Sequence, residues 1–222
     1  MKFVYPNINH VVEITEDQVN TLVIENQKLF AEILQDLCCQ LQGDDGRSVL
    51  SNNEKILDIS KNLELLSQFV PFEINKKSLI SRVISLMEKQ SVDADHYEET
   101  MEELSRLEAY MYHLAFDMTG DLTFTKISPA SLIKAVGIEF EDNYDSLAEK
   151  LIDYMELVTF YDRPKLFVFV NLRSYISDAE AEAFFETVLS HQFKVVLIEN
   201  KEYNRIALEK RYIVDEDLCE IF

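Results

Sequence analysis

Glycine is scarce: the 222-residue chain has four, Gly43, Gly46, Gly120 and Gly137. A phosphate-binding P-loop needs G-x-x-x-x-G-K-[ST], because glycines let successive backbone N–H groups wrap the phosphates while the lysine reaches the outer ones. None of the four stands at that spacing. Cysteine is equally thin. Cys38, Cys39 and Cys219 make no even framework, the adjacent pair is poorly placed to bridge, and without C-x-x-C a zinc site has no support. A reducing cytoplasm is the expected location. No apolar run reaches 18 residues, and MKFVYPNINH has too few apolar residues before Pro6 for a signal-peptide core. Export and membrane spanning are therefore not expected. His10, His96, His113 and His191 form no H-E-x-x-H, and G-x-S-x-G is missing, so hydrolase chemistry has no foothold.

Positive charge is also in short supply, with 21 Lys and Arg against 41 Asp and Glu and a net charge of -20. The averaged field repels nucleic acid and anionic membranes, and points to a protein or small-molecule partner unless local basic patches oppose it. What the chain does have is apolar bulk. A 47% hydrophobic content with 14 Phe and 10 Tyr excludes a disordered chain.

Along the chain, TLVI (21–24) reads as a strand and Leu29, Phe30, Ile33, Leu34, Leu37 and Leu41 follow at helical spacing. Only Glu25, Asn26 and Gln27 stand between them, where a P-loop would need glycine. QGDDGRS is a turn, and Val49-Leu50 with Ile56-Leu57-Asp58-Ile59 suggests a hairpin. Two long amphipathic helices follow. The first places Leu79, Ile80, Val83, Ile84 and Met87 on one stripe behind Asn75 as its cap, and the second runs from Ala94 to Phe116. SPASLIKAVG has Ser128 as cap, Pro129 at the first helical position and Gly137 at the end. A helix over YDSLAEKLIDYMELVTFY, capped by Asp145 or Ser146, leads to the strand KLFVFVN (165–171). Ser177 and Glu180 then form a capping box, KVVLIEN is another apolar strand, and RYIVDED supplies an edge strand. Strands apolar on both faces, alternating with helices, imply a parallel sheet covered on two sides. The fold class is α/β, with a P-loop-like parallel-sheet head whose nucleotide motifs are degenerate and an inserted two-helix leg. The expected division is head 1–72, leg 73–120 and head 121–222. Asn171 stands after a buried strand, where a nucleotide-hydrolysing P-loop protein would keep a magnesium-holding aspartate. Asp117 and Asp121 flank Gly120 at the end of the leg, where carboxylates and carbonyls either hold a hard cation or form a plain polar hinge.

In order, SLIKAVGIEFED, DSLAEKLIDYMELVTFY, RPKLFVFVNLRSYISDAEAEAFF, KVVLIENKEY and RYIVDED resemble the C-terminal half of the ring-forming, DNA-end-binding adaptation proteins of type II-A CRISPR systems (the Csn family). The likeness is strongest over 121–217, and the earlier part agrees in layout. It implies a head that has lost nucleotide chemistry, and a homotetrameric ring that takes the ends of double-stranded DNA through a basic hole. It further implies calcium as cofactor, no nucleotide, and action in spacer acquisition beside the CRISPR integrase and effector nuclease. By position, Lys134 and Lys150 match basic residues of that hole, with Arg82 and Lys89 on the first leg helix as weaker candidates and Lys76 and Lys77 weaker still. The plain alternative is that these lysines complement helix ends and nearby acids. Asp117 and Asp121 match the acidic calcium positions, though Thr119, Thr123, Thr125 and Lys126 thin out the carboxylates around them. Two other readings stand beside this one: a nucleotide-using enzyme with divergent motifs, and an acidic protein-interaction module on the same fold that binds no DNA.

Overall fold

The computed structural model describes residues 1–222 except Glu16, Pro164 and Phe222, so Pro164 of the RPKLFVFVN segment lies outside the described residues. The chain opens with β1 (Lys2–Val4), β2 (Val12–Glu13) and β3 (Val19–Ile24). It continues through α1 (Gln27–Gln42), β4 (Val49–Asn52), β5 (Lys55–Leu57), the short α2 (Ile59–Asn62) and β6 (Leu63–Leu66). Three helices follow, α3 (Lys77–Gln90), α4 (Tyr97–Ala115) and α5 (Pro129–Val136). The last stretch holds α6 (Leu147–Tyr161), β7 (Leu166–Val170), α7 (Asp178–Ser190), β8 (Lys194–Glu199), β9 (Glu209–Val214) and β10 (Glu220–Ile221). The fold is α/β.

These elements form two compact units: Met1–Glu73 with Asp142–Phe222, and Ile74–Glu141. In the first, a six-stranded sheet runs β10-β9-β3-β8-β7-β6, with β9, β3, β8, β7 and β6 mutually parallel. The tail strand expected at the edge, β9, is an edge over 209–212 and is closed beyond that by β10, which pairs antiparallel with Ile213 and Val214. β6 was not legible as a strand. Its sequence, LELL, neither alternates cleanly nor is bounded by turn residues, and parallel pairing with β7 holds it in place. Side chains alternate across the sheet. Leu166 and Val168 join α1 residues Leu29, Ile33 and Leu37 in one core cluster. Phe167 and Phe169 point the other way, with Phe169 edge-on to Phe184 of α7 at 5.6 Å and Phe167 edge-on to Phe193 at 6.1 Å. Two aromatic side chains buried on one strand are worth about 2–3 kcal/mol each in apolar burial, so the strand is held from both faces.

A second sheet, β2-β1-β4-β5, is antiparallel throughout. The expected hairpin is its β4–β5 pair, turning at Asn53 and Glu54, both with positive φ (47° and 64°) as a two-residue hairpin turn requires. Ile59, expected to extend that hairpin, instead opens α2, because the Asp58 side chain accepts the Ser60 backbone N–H and caps it.

Capping signals elsewhere act as read. Ser128 caps α5, Ser146 caps α6, and Ser177 with Glu180 forms a reciprocal box on α7. Asn75 does not cap α3, whose first turn opens after Lys76. Its carboxamide binds both backbone groups of Phe140 instead: Nδ2 donates to the carbonyl at 3.0 Å and Oδ1 accepts the N–H at 2.7 Å. The two ends of the Ile74–Glu141 unit are thereby tied. This moves the expected second boundary: residues 121–141, read as head, belong with the helices, since α5 packs on α3 and the Glu108 carboxylate accepts the Ile127 N–H. Asn75→Ala removes both bonds. It is expected to destabilise this unit by about 1–3 kcal/mol and to speed amide exchange at Phe140, read by hydrogen–deuterium exchange.

Candidate nucleic-acid interface

Lys134, Arg82 and Lys89 belong to the Ile74–Glu141 unit, whereas Lys150 belongs to the other. Arg82 and Lys89 are exposed and lie seven residues apart on α3, two turns along one face. Lys134 sits in the last turn of α5, and its amine is 3.3 Å from the Glu88 carboxylate. That ion pair ties Lys134 to the last turn of α3, which also carries Lys89. Lys150 is in the first turn of α6, and its side chain is only 17% exposed. Its amine pairs with Asp142 and lies 5.9 Å from the centre of the Tyr144 ring. The surroundings are acidic: Tyr144 bonds Asp153, and burial pushes its hydroxyl up to about 12. Lys76 and Lys77 flank the start of α3. The helix-end alternative thus describes part of what the lysines do, since each of the two principal ones has a carboxylate partner.

Asp117 and Asp121 are exposed on either side of Gly120, which has φ 105°. A hard cation of the calcium type takes six to eight oxygen ligands. Among the described residues no three His, Cys, Asp or Glu side chains converge on a point that could hold a metal, so these two carboxylates alone do not make up such a set.

The carboxyl ends of the parallel strands, where nucleotides sit in sheets of this kind, are occupied by the chain itself. Asn26 accepts the Leu29 N–H with its side-chain oxygen and donates Nδ2 to the Glu216 carbonyl at 2.8 Å, so the start of α1 is capped and covered by the turn after β9. Asn171 adopts the left-handed conformation, φ 56°, which asparagine tolerates better than most residues. From there its N–H donates to the Ile198 carbonyl and its Oδ1 accepts the Asn200 N–H. The residue expected in place of a magnesium aspartate is a clasp between β7 and β8.

Beside that clasp lies a buried charged cluster that no spacing announced. Arg173, with its side chain 1% exposed, donates Nη2 to Asp178 and to the Asn204 carbonyl, and its guanidinium lies 5.2 Å from the Tyr203 ring. Glu199, fully buried, accepts the Arg173 backbone N–H at 3.1 Å, and burial pushes its carboxyl up to about 7. Arg211 pairs with Glu209 at 2.6 Å and donates to the Tyr203 carbonyl at 2.8 Å. Two arginines thus pin the β8–β9 connection to the sheet. The one sequence signal was an arginine three residues past the end of a buried strand and five residues before Asp178.

Comparison with known proteins decides the family. The profile of the family described as CRISPR-associated protein (Cas_Csn2) matches residues 40–218. The chain belongs to the Cas_Csn2 family. It is 21% identical over 203 residues to the CRISPR-associated protein Csn2 of Enterococcus faecalis, covering 90% of each chain. It is likewise 21% identical over 199 residues to the protein of that name from Streptococcus agalactiae, covering 88% of this chain and 87% of the other. The crystal structure of Stu0660 of Streptococcus thermophilus superposes with a TM-score of 0.58 at 14% identity, covering all of this chain and 76% of that one, and so shares its fold. The family match spans the inserted helices and contains Arg82, Lys89, Asp117, Asp121, Lys134 and Lys150. The resemblance read from the five ordered segments is to this same family. As a Cas_Csn2 protein the chain is a CRISPR component of antiviral defence, and no helix among its described residues is long and apolar enough to cross a membrane.

Proposed function

We propose that the protein is a non-catalytic, double-stranded DNA end-binding ring, a homotetramer that serves CRISPR spacer acquisition in the cytoplasm beside the integrase and effector nuclease. The observation that carries the reading is the Cas_Csn2 match across both units. Lys134 and Lys150 lie within it, and the resemblance between the ordered segments and the family makes them the basic residues of the hole. A net charge of -20 is compatible with it. Phosphates respond to the field within a Debye length, about 8–10 Å at moderate salt, and a ring sets its few lysines on one inner wall. Calcium enters this reading as a cation bound at Asp117 and Asp121 with further oxygen ligands supplied on assembly. The ion pairs at Lys134 and Lys150 favour a second reading, an acidic protein-interaction module that binds no DNA.

The test is a band shift of linear and covalently closed circular duplex of equal length, with calcium and with chelator. Linear duplex is expected to shift and circular duplex not to, with affinity falling steeply as salt rises because the contacts are to phosphates. Equal binding of both forms would remove the end-binding geometry. No shift of either form, under any condition, would leave the interaction module.

A further inference from the structure

The two lysines that the DNA-binding reading depends on are not idle. Each holds a carboxylate from elsewhere in its own unit: Lys134 on α5 pairs with Glu88 on α3 at 3.3 Å, and Lys150 on α6 pairs with Asp142 in the preceding loop. Neither pair is a nearest-turn helix contact. Glu88 is 46 residues before Lys134, and Asp142 is eight residues before Lys150 and outside α6. One partner of each pair is partly covered: Glu88 is 30% exposed against 63% for Lys134, and Lys150 is 17% exposed against 39% for Asp142. The Glu88 oxygen facing Lys134 makes no hydrogen bond besides that ion pair. Lys150 is bounded on another side by the Tyr144 ring.

We propose that Glu88 and Asp142 are resident competitors for the two DNA-facing lysines and set the affinity and salt dependence of duplex binding. This rests on the DNA-end reading above and names what regulates that site. A phosphate reaching Lys134 or Lys150 exchanges with a carboxylate already in place. The amine keeps one anionic partner throughout, and the carboxylate is released to water. A lone phosphate gains little from such an exchange, because it replaces one oxyanion by another. A duplex gains more, since its closely spaced phosphates engage several lysines at once and release their own counterions. The two carboxylates therefore discriminate against sparse anions in favour of a dense phosphate array. They also flatten the salt dependence: added salt weakens the phosphate contact but also weakens the internal pair that must break.

The experiment measures linear-duplex affinity of the full-length protein over a salt series for wild type, Glu88→Gln, Asp142→Asn and the double variant, with Glu182→Gln as control. Glu182 is exposed on α7, and its neutralisation reports the gain from the lower net charge alone. Freeing an ion pair of this kind is expected to tighten binding about threefold per site beyond the control. The double variant should steepen the plot of log affinity against log salt by about one unit or more. Affinity and slope indistinguishable from those of Glu182→Gln, or weaker binding in variants with a wild-type melting temperature, would overturn the inference. If Asp142→Asn unfolds, Glu88→Gln decides alone, since Glu88 lies off the buried Leu79 and Val83 face of α3. Should wild type fail to bind linear duplex, the DNA-end reading falls and this inference with it. Wild-type binding with unaltered variants removes the inference only.

Discussion

Lys134→Glu with Lys150→Glu is expected to abolish the shift of linear duplex at protein concentrations that shift all of it in wild type, a loss of about 10²-fold or more. Each lysine that meets a phosphate contributes to counterion release, and its removal lowers the salt slope by about one. Reversal does more than removal, since it sets a carboxylate against the phosphate, and any assembly repeats the change in every copy. The two sites carry unequal structural risk. Lys134 is 63% exposed and loses one surface ion pair on reversal, worth under about 1 kcal/mol. Lys150 is largely covered, so a glutamate there would face Asp142 directly. Lys150→Gln is the companion variant. It removes the charge without adding a like one, and it should weaken binding with little change in melting temperature. Full duplex binding by a folded double variant of native oligomeric state would sink the assignment of these lysines. The same result with Arg82 and Lys89 replaced as well would sink the inner-wall reading.

What the sequence made legible divides along a physical line. Signals that act within one turn of chain were readable: Ser128 before Pro129, Ser146 before α6, and Ser177 three residues before Glu180 all cap as their spacing predicts. So were the buried strands β3, β7 and β8, where runs of three, five and four consecutive apolar residues stand next to a helical pattern. Features fixed by partners distant in sequence were not. Asn75 satisfies every local rule for a cap, yet Phe140, 65 residues on, offers it two backbone bonds, and it takes those. The boundary after Gly120 followed from the end of a helix, while the true unit is set by α5 packing on α3. The candidate lysines show the same limit. Their positions came from ordered resemblance, but their carboxylate partners follow from the folded chain alone. The missing glycines were informative, since the connection they leave between β3 and α1 is short and filled by Asn26.

Arg173→Met is expected to be among the most destabilising single substitutions in the head, at about 3–5 kcal/mol, or a fall in melting temperature of about 10 °C for a chain of this size. The guanidinium is buried and donates to the Asn204 carbonyl and to Asp178, whose side chain is 52% exposed, so its loss breaks the link from the sheet to the β8–β9 connection and takes a cation from beside the buried Glu199. Glu199 gives the same cluster a pH signature. Burial raises its folded pKa to about 7 from about 4.5, so between those values the folded state holds a proton that the unfolded state has released. Stability from this group is therefore fully present below about pH 4.5 and is lost as pH rises through about 7, to a total of about 3 kcal/mol. His96, whose pKa Asp93 raises, slopes the same way over its own range. Asp58, Asp178 and Glu180, with lowered pKa values, lose their contribution only at acid pH below this window. Glu199→Gln isolates the one group. It keeps an acceptor for the Arg173 N–H, so in denaturant melts from pH 5 to 8 it should match wild type near pH 5 and exceed it near pH 8. Arg173→Met should carry the fall to higher pH, and so enlarge it, because the cation that favours the Glu199 carboxylate is gone. Parallel curves for wild type and Glu199→Gln across that range would show that Glu199 is ionised in the fold, and that the cluster is held by charge pairing alone.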